Sequence, residues 1–168
     1  MTDSILEQAV SFFNKYDYQL IVTTGGPLEK GSHLSEYSTF AELTAVTLRQ
    51  IGVGQSLIVS IPTPPVRTDR TFASALAVSE WLSQSSLSIS SLDVFSVVTH
   101  ARRTQWLFQS ALGDNIEIGV IAASNPKSDG GRWWAWSSGV RAVVCEAIAY
   151  LYARFLFSPH EREVAPGS

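Results

Sequence analysis

The sequence predicts an α/β protein: a three-layer α/β/α, Rossmann-like sandwich around a mostly parallel sheet of about four strands. Three observations carry that expectation. Short apolar runs alternate along the chain with segments whose apolar residues recur at helical spacing. The runs are continuous, as in strands covered on both faces. Glycines and prolines cluster where the runs end, marking turns and stiff exits. At 168 residues and 45% hydrophobic composition, one domain of this size buries roughly two-thirds of its unfolded surface.

The elements follow in order. Leu6, Ala9, Val10 and Phe13 set a first helix over Asp3 to Lys15. Gln19 to Thr23 is a buried strand that leads into a turn at Gly25 and Gly26. Tyr37, Phe40, Ala41, Thr44, Leu48 and Ile51 mark a second helix, with Ser35 and Glu36 at its start. Gly52 and Gly54 close it, since glycine readily takes the left-handed conformation of helix ends. Ser56 to Ser60 is the next strand, and Pro62, Pro64 and Pro65 stiffen its exit. A third helix opens at Asp69-Arg70-Thr71 and carries Phe72, Ala75, Leu76 and Leu82 on one face. After a serine-rich linker, Leu92 to Val98 is a strand, Arg102 to Leu112 a helix, and Asn115 to Ala122 the last strand. A loop with Asn125-Pro126 and Gly130-Gly131 leads through Trp133, Trp134 and Trp136 to a final helix. Its apolar side holds Val140, Val143, Val144, Ala147, Ile148, Leu151 and Phe155, and Cys145 within it reads as an inert core thiol. The domain is expected over residues 1–157, with a polar tail over 158–168.

Composition excludes several classes. Charged residues are 16% of the chain, below the usual ~25%, which argues against coiled coils and basic nucleic-acid arms. A net charge of −3 gives no global field toward nucleic acid or acidic lipid. A single cysteine excludes an internal disulfide and a cysteine-based zinc site. No run approaches the ~18 apolar residues of a membrane span, and Met1 to Ser4 lacks the features of a signal peptide. As it stands the chain reads as cytoplasmic, without stable membrane insertion; an anchor ahead of Met1 would make it membrane-associated.

Scarce charge makes its clustering informative. Right-handed crossovers bring every strand-to-helix loop to one edge of a parallel sheet, where ligands of such sheets bind. The four loops Thr24–Glu36, Pro62–Arg70, Thr99–Arg103 and Ala122–Arg132 carry seven basic and four acidic residues on an acidic chain, with His33 and His100. Loops are polar in general, but the sign bias suits an anionic or phosphate-bearing ligand.

Within those loops, Gly25 and Gly26 are either a simple turn or a place where backbone amides approach a ligand. They form neither a Walker loop nor a GxGxxG motif. Ser35 and Glu36 are either a helix cap or a carboxylate presented to the site. Asp69 is a cap or an arginine partner, while Arg70 and Thr71 at a helix N-terminus suit a phosphate or carboxylate. Thr99, His100, Arg102 and Arg103 open another helix; His100 is a candidate acid/base or hydrogen-bond donor, against a purely structural role. Arg132 and Trp133 offer a cation and an aromatic wall, although tryptophans more often pack. Glu146 lies among apolar neighbours and needs a partner. No GxSxG elbow and no metal-ligand spacing is present.

The ordered set strand-Thr24-Gly25-Gly26, Ser35-Glu36, Ile51-Gly52-Val53, Asp69-Arg70-Thr71, Val98-Thr99-His100-Ala101-Arg102-Arg103 and a late Glu146 resembles the YdcF/SanA/ElyC family, which is built on a domain of unknown function. The resemblance covers Ile5 to Phe157. Family members begin with a strand and a glycine-containing loop ahead of the first helix, so the expectation here is a member lacking that strand. The spacing around His100 also differs, with Arg102 and Arg103 in place of a single later arginine. The resemblance implies a Rossmann-like domain, S-adenosylmethionine as a ligand type, and a link to cell-envelope metabolism. It implies no specific reaction.

The leading functional expectation is a small-molecule binding domain for an anionic or nucleotide-like ligand. Gly25 and Gly26 would offer amides, Glu36 would take hydroxyl or amine groups, and Arg70, His100 and Arg103 would hold the negative group. The alternatives are a phosphoester hydrolase or transferase acting on an envelope precursor, with His100 as acid/base, and a non-catalytic interaction protein that uses an exposed sheet edge. The last would make a homo-oligomer one form of the protein.

Overall fold

A computed structural model of the chain describes residues 3–28, 36–97, 100–123 and 145–151. The chain divides into two compact units, Met1–Asn125 and Pro126–Ser168. In the first, helix α1 (Asp3–Lys15) precedes strand β1 (Ile21–Gly25) and helix α2 (Phe40–Gln50). A 3-10 turn (Gln55–Leu57) leads into β2 (Ile58–Pro62), followed by α3 (Arg70–Gln84), β3 (Ser91–Val97), α4 (Ala101–Leu112) and β4 (Glu117–Ala123). The protein is mixed α/β. Among the described residues, four strands form two two-stranded parallel sheets, β1 with β2 and β3 with β4, rather than one four-stranded sheet.

The register runs from Ile21 opposite Ile58 to Gly25 opposite Pro62, and from Ser91 opposite Glu117 to Val97 opposite Ala123. Strands β1 and β2 therefore start and end two residues later than their apolar runs predict. Gly25 is a strand residue, and its carbonyl accepts from the Thr63 N–H at 3.1 Å. A Cβ at Gly25 would come within 2.7 Å of the Phe40 Cβ and 3.0 Å of the Ala41 nitrogen. The end of β1 and the start of α2 thus meet at a distance only glycine allows.

Helix α2 begins at Phe40, not at Ser35 and Glu36. Thr39 is its N-cap and Glu42 completes a capping box: the Glu42 N–H donates to Thr39 Oγ1 at 3.2 Å, and the Thr39 N–H donates to Glu42 Oε2 at 3.1 Å. The Ser38 N–H and hydroxyl also donate to Glu42 Oε2, each at 2.9 Å. These bonds, led by those from Ser38, hold the Glu42 carboxyl below its ordinary range. The support from Glu42 is therefore present above the ordinary glutamate pKa and is lost as pH falls through the lowered one. Thr39→Ala is expected to cost about 1 kcal/mol in chemical denaturation. It also removes the Thr39 side-chain contribution to the lowered Glu42 pKa while the backbone N–H bond stays, so the acid-side loss of stability should shrink slightly.

One core spans both sheets. Ile61 of β2, Ala75 and Val78 of α3, Phe108 of α4 and Ile118 of β4 are buried together. Val22, Val59, Leu92 and Val94 pack against them. A second cluster of Leu6, Leu48 and Val53 packs with Val10, Phe13, Ile21 and Ile58. At the other side of β1, the Tyr18 hydroxyl donates to Asp93 Oδ2 of β3 at 2.6 Å. Partial burial, then this carboxylate, push the Tyr18 phenol up to about 12. A folded pKa above the unfolded value means this contribution holds below pH ~10 and fades as pH rises through about 12. Ultraviolet titration should show one late-ionising tyrosine that Asp93→Asn moves down.

In the second unit, residues 145–151 are helical. Cys145 is exposed, which corrects the expectation of a buried core thiol. Ile148 and Leu151 are exposed as well. Helical periodicity identifies residues that share a face; it does not say whether that face is covered. Among the described residues, no helix is long and apolar enough to cross a membrane.

Candidate functional site

The β2–α3 loop meets the end of β3 and the start of α4. They line an open pocket of about 550 Å³. The β2–α3 loop and first turn of α3 supply Arg67, Thr68, Asp69, Arg70 and Thr71. The end of β3 supplies Phe95 and Ser96, and the start of α4 supplies His100, Arg103 and Thr104. Phe95 is the single apolar lining residue among those described. Three arginines face one carboxylate, so the pocket is locally cationic on an acidic chain.

Both helix starts in this pocket differ from that of α2. Asp69 precedes α3 in a left-handed conformation, φ 58° and ψ 36°, and its side chain makes no capping hydrogen bond. It is the one described non-glycine residue with positive φ. Such a conformation costs on the order of 1–3 kcal/mol for most residues and is best tolerated by Asp and Asn. His100 precedes α4 with no side-chain cap either. The positive ends of two helix dipoles thus open on a pocket that already holds Arg67, Arg70 and Arg103.

The floor is more rigid. Thr104 is 5% exposed, and its hydroxyl lies 3.3 Å from that of Ser96, tying α4 to the end of β3. Among the described residues, no group of three His, Cys, Asp or Glu side chains is arranged to hold a metal ion. The arrangement suits electrostatic and hydrogen-bond capture of an anion, with an imidazole at hand.

Of the residues singled out from sequence, the pocket brings together Asp69, Arg70, Thr71, His100 and Arg103. It does not bring Gly25, Gly26, Glu36 or Arg102 to them. Gly25 is engaged in strand pairing and in the approach to α2, and the Gly26 carbonyl accepts from the Phe40 N–H at 2.9 Å. Glu36 is exposed outside α2, and Arg102 is exposed on α4. Ser35, Thr99, Arg132 and Trp133 lie outside the described residues. Arg67, Thr68, Phe95, Ser96 and Thr104 were not singled out as site residues. Thr104 carries a usable signal, since it stands one helical turn after His100 and shares its face.

No family model matches the chain, and no curated protein or solved structure matches it. The fold and site define an α/β protein with a cationic pocket at the carboxyl ends of β2 and β3, one strand from each parallel pair.

Proposed function

We propose that this protein is a small-molecule binding domain, with the anionic group of a nucleotide-like ligand seated between the starts of α3 and α4. The observation that carries the reading is the convergence of Arg67, Arg70, Arg103 and His100 with two helix N-termini that have no side-chain cap. Charge-assisted hydrogen bonds from arginine and the helix dipoles add for a phosphate or carboxylate and vanish for a neutral group. Membership of the YdcF-like family and a Rossmann-like sandwich are the fold reading that accompanies this proposal, with S-adenosylmethionine as one ligand of the right kind and cell-envelope metabolism as its setting. Calorimetric titration with ADP, AMP, S-adenosylmethionine and adenosine tests it. ADP should bind at least tenfold more tightly than adenosine; equal affinities would sink the proposal.

A second reading, a phosphoester hydrolase or transferase, is favoured by one feature. His100 lines the same pocket as the two arginines, within the space a bound phosphoester would fill. It would serve as acid/base while Arg70 and Arg103 stabilise developing charge. Turnover of generic phosphoesters that is abolished by His100→Ala would select this reading over simple binding.

A further inference from the structure

A second cavity, of about 460 Å³, lies in the first unit and shares Phe95 alone, among the described residues, with the cationic pocket. Its lining has an unusual form. Consecutive residues of and before β1, from Asp17 to Thr24, border it on one side. Consecutive residues leading into and along β3, from Leu87 to Phe95, border it on the other. Successive side chains of a strand point to opposite faces, so a cavity resting on a sheet face meets every second residue. A cavity that meets consecutive residues along two strands, Ile21 to Thr24 of β1 and Ser91 to Phe95 of β3, lies at their edges. Strand β1 pairs only with β2, and β3 only with β4, among the described residues. The edges of β1 and β3 that border the cavity therefore belong to no ladder.

Helices close the cavity above and below. Leu6, Phe12 and Phe13 of α1 line it, and so do Val78, Trp81 and Leu82 of α3. The cavity is thus a slot between two strand edges, with an apolar layer on each face. Those are the surroundings of an inner strand of a parallel sheet. Its charge is one-sided. Asp17 and Asp93 are its only charged lining residues among those described, one ahead of β1 and the other near the start of β3.

We propose that this slot takes an extended apolar peptide segment of a partner polypeptide as an added strand, parallel to β1 and bridging it to β3. Main-chain hydrogen bonds to the two edges would supply the register, and side chains on both faces would fill the layers under α1 and α3. The acidic pair sits at the amino-terminal end of β1, so the bound segment carries a basic residue immediately before its apolar run. The inference is independent of the cationic pocket and of any ligand there.

The probe is an acetylated, amidated hexapeptide, Arg-Val-Ile-Val-Ile-Gly, added to the full chain. Anisotropy of a labelled copy should show saturable binding, and hydrogen exchange should slow at the amides of residues 21–25 and 91–97. A peptide with proline at its centre, which cannot donate to a ladder, should bind at least tenfold more weakly. So should a peptide with Glu in place of Arg, and Asp17→Asn should narrow the gap between these two charge forms. Asp17 is exposed and outside every secondary element, so this variant keeps the test free of unfolding. Equal binding of the proline peptide would show an apolar ligand cavity instead and overturn the proposal. Absence of binding by a folded monomer would overturn it too. Concentration-dependent dimerisation that excludes the peptide in sedimentation would make a second copy the occupant and overturn the choice of partner.

Discussion

Replacing Arg70 and Arg103 together by alanine is expected to weaken ADP binding about a hundredfold or more. Each guanidinium lines the pocket from a different helix start. A hydrogen bond to a charged group contributes about 1.5–3 kcal/mol, so two lost bonds exceed the factor of a hundred. Salt should weaken the parent protein's binding more than the variant's, since fewer charges then face the phosphate. Arg102→Ala supplies the control: Arg102 is one residue from Arg103 but lies outside the pocket, and its loss should leave affinity nearly unchanged. Calorimetry on the three proteins reads both effects. Equal losses per arginine removed from Arg102→Ala and from the double variant would mean that general surface charge, not the pocket, attracts the ligand.

Phe108→Ala should destabilise the protein by about 3–5 kcal/mol, the range for removing a large buried aromatic ring. Phe108 is 6% exposed and packs in the core with Ile61 of β2 and Ile118 of β4. Its ring therefore holds members of both sheets around α3, and its removal leaves a void that neither sheet can close by itself. Urea unfolding followed by far-ultraviolet circular dichroism and by tryptophan fluorescence should shift to lower midpoint together. Separated transitions would show that the two sheets do not share one cooperative core.

Much of this fold is legible in the sequence because helical periodicity and apolar runs are local signals. Helix α1 spans the residues its periodicity marks, and every strand overlaps its apolar run. The boundaries that moved did so for tertiary reasons. Strand β1 extends to Gly25 because Pro62 and Thr63 lie across from it. Helix α2 starts late because the Thr39–Glu42 box outcompetes Ser35-Glu36 as its beginning. The candidate pocket is legible in part, where charge and a helix start coincide, at Arg70, His100 and Arg103. Gly25 and Gly26 were ambiguous because a glycine freed for ligand contact and one required by a neighbouring helix look the same in sequence; at Gly25, Phe40 decides the matter. The division of the strands into two sheets was not legible, since strand composition does not encode which edges meet.

That division bears on how the chain assembles. Among the described elements, β1 reaches β2 through α2 and the 3-10 turn, and β3 reaches β4 through α4. Each pairing closes within its own half of the first unit, and closure entropy grows only slowly with the length of chain between two strands. The β2–α3 loop, helix α3 and the 85–90 linker together join the halves. The unit is therefore wired as two βαβ modules in series, each able to form its ladder before the other docks. A chain cut or circularly permuted within 85–90 keeps both ladders whole, which makes this linker the natural place to open the polypeptide.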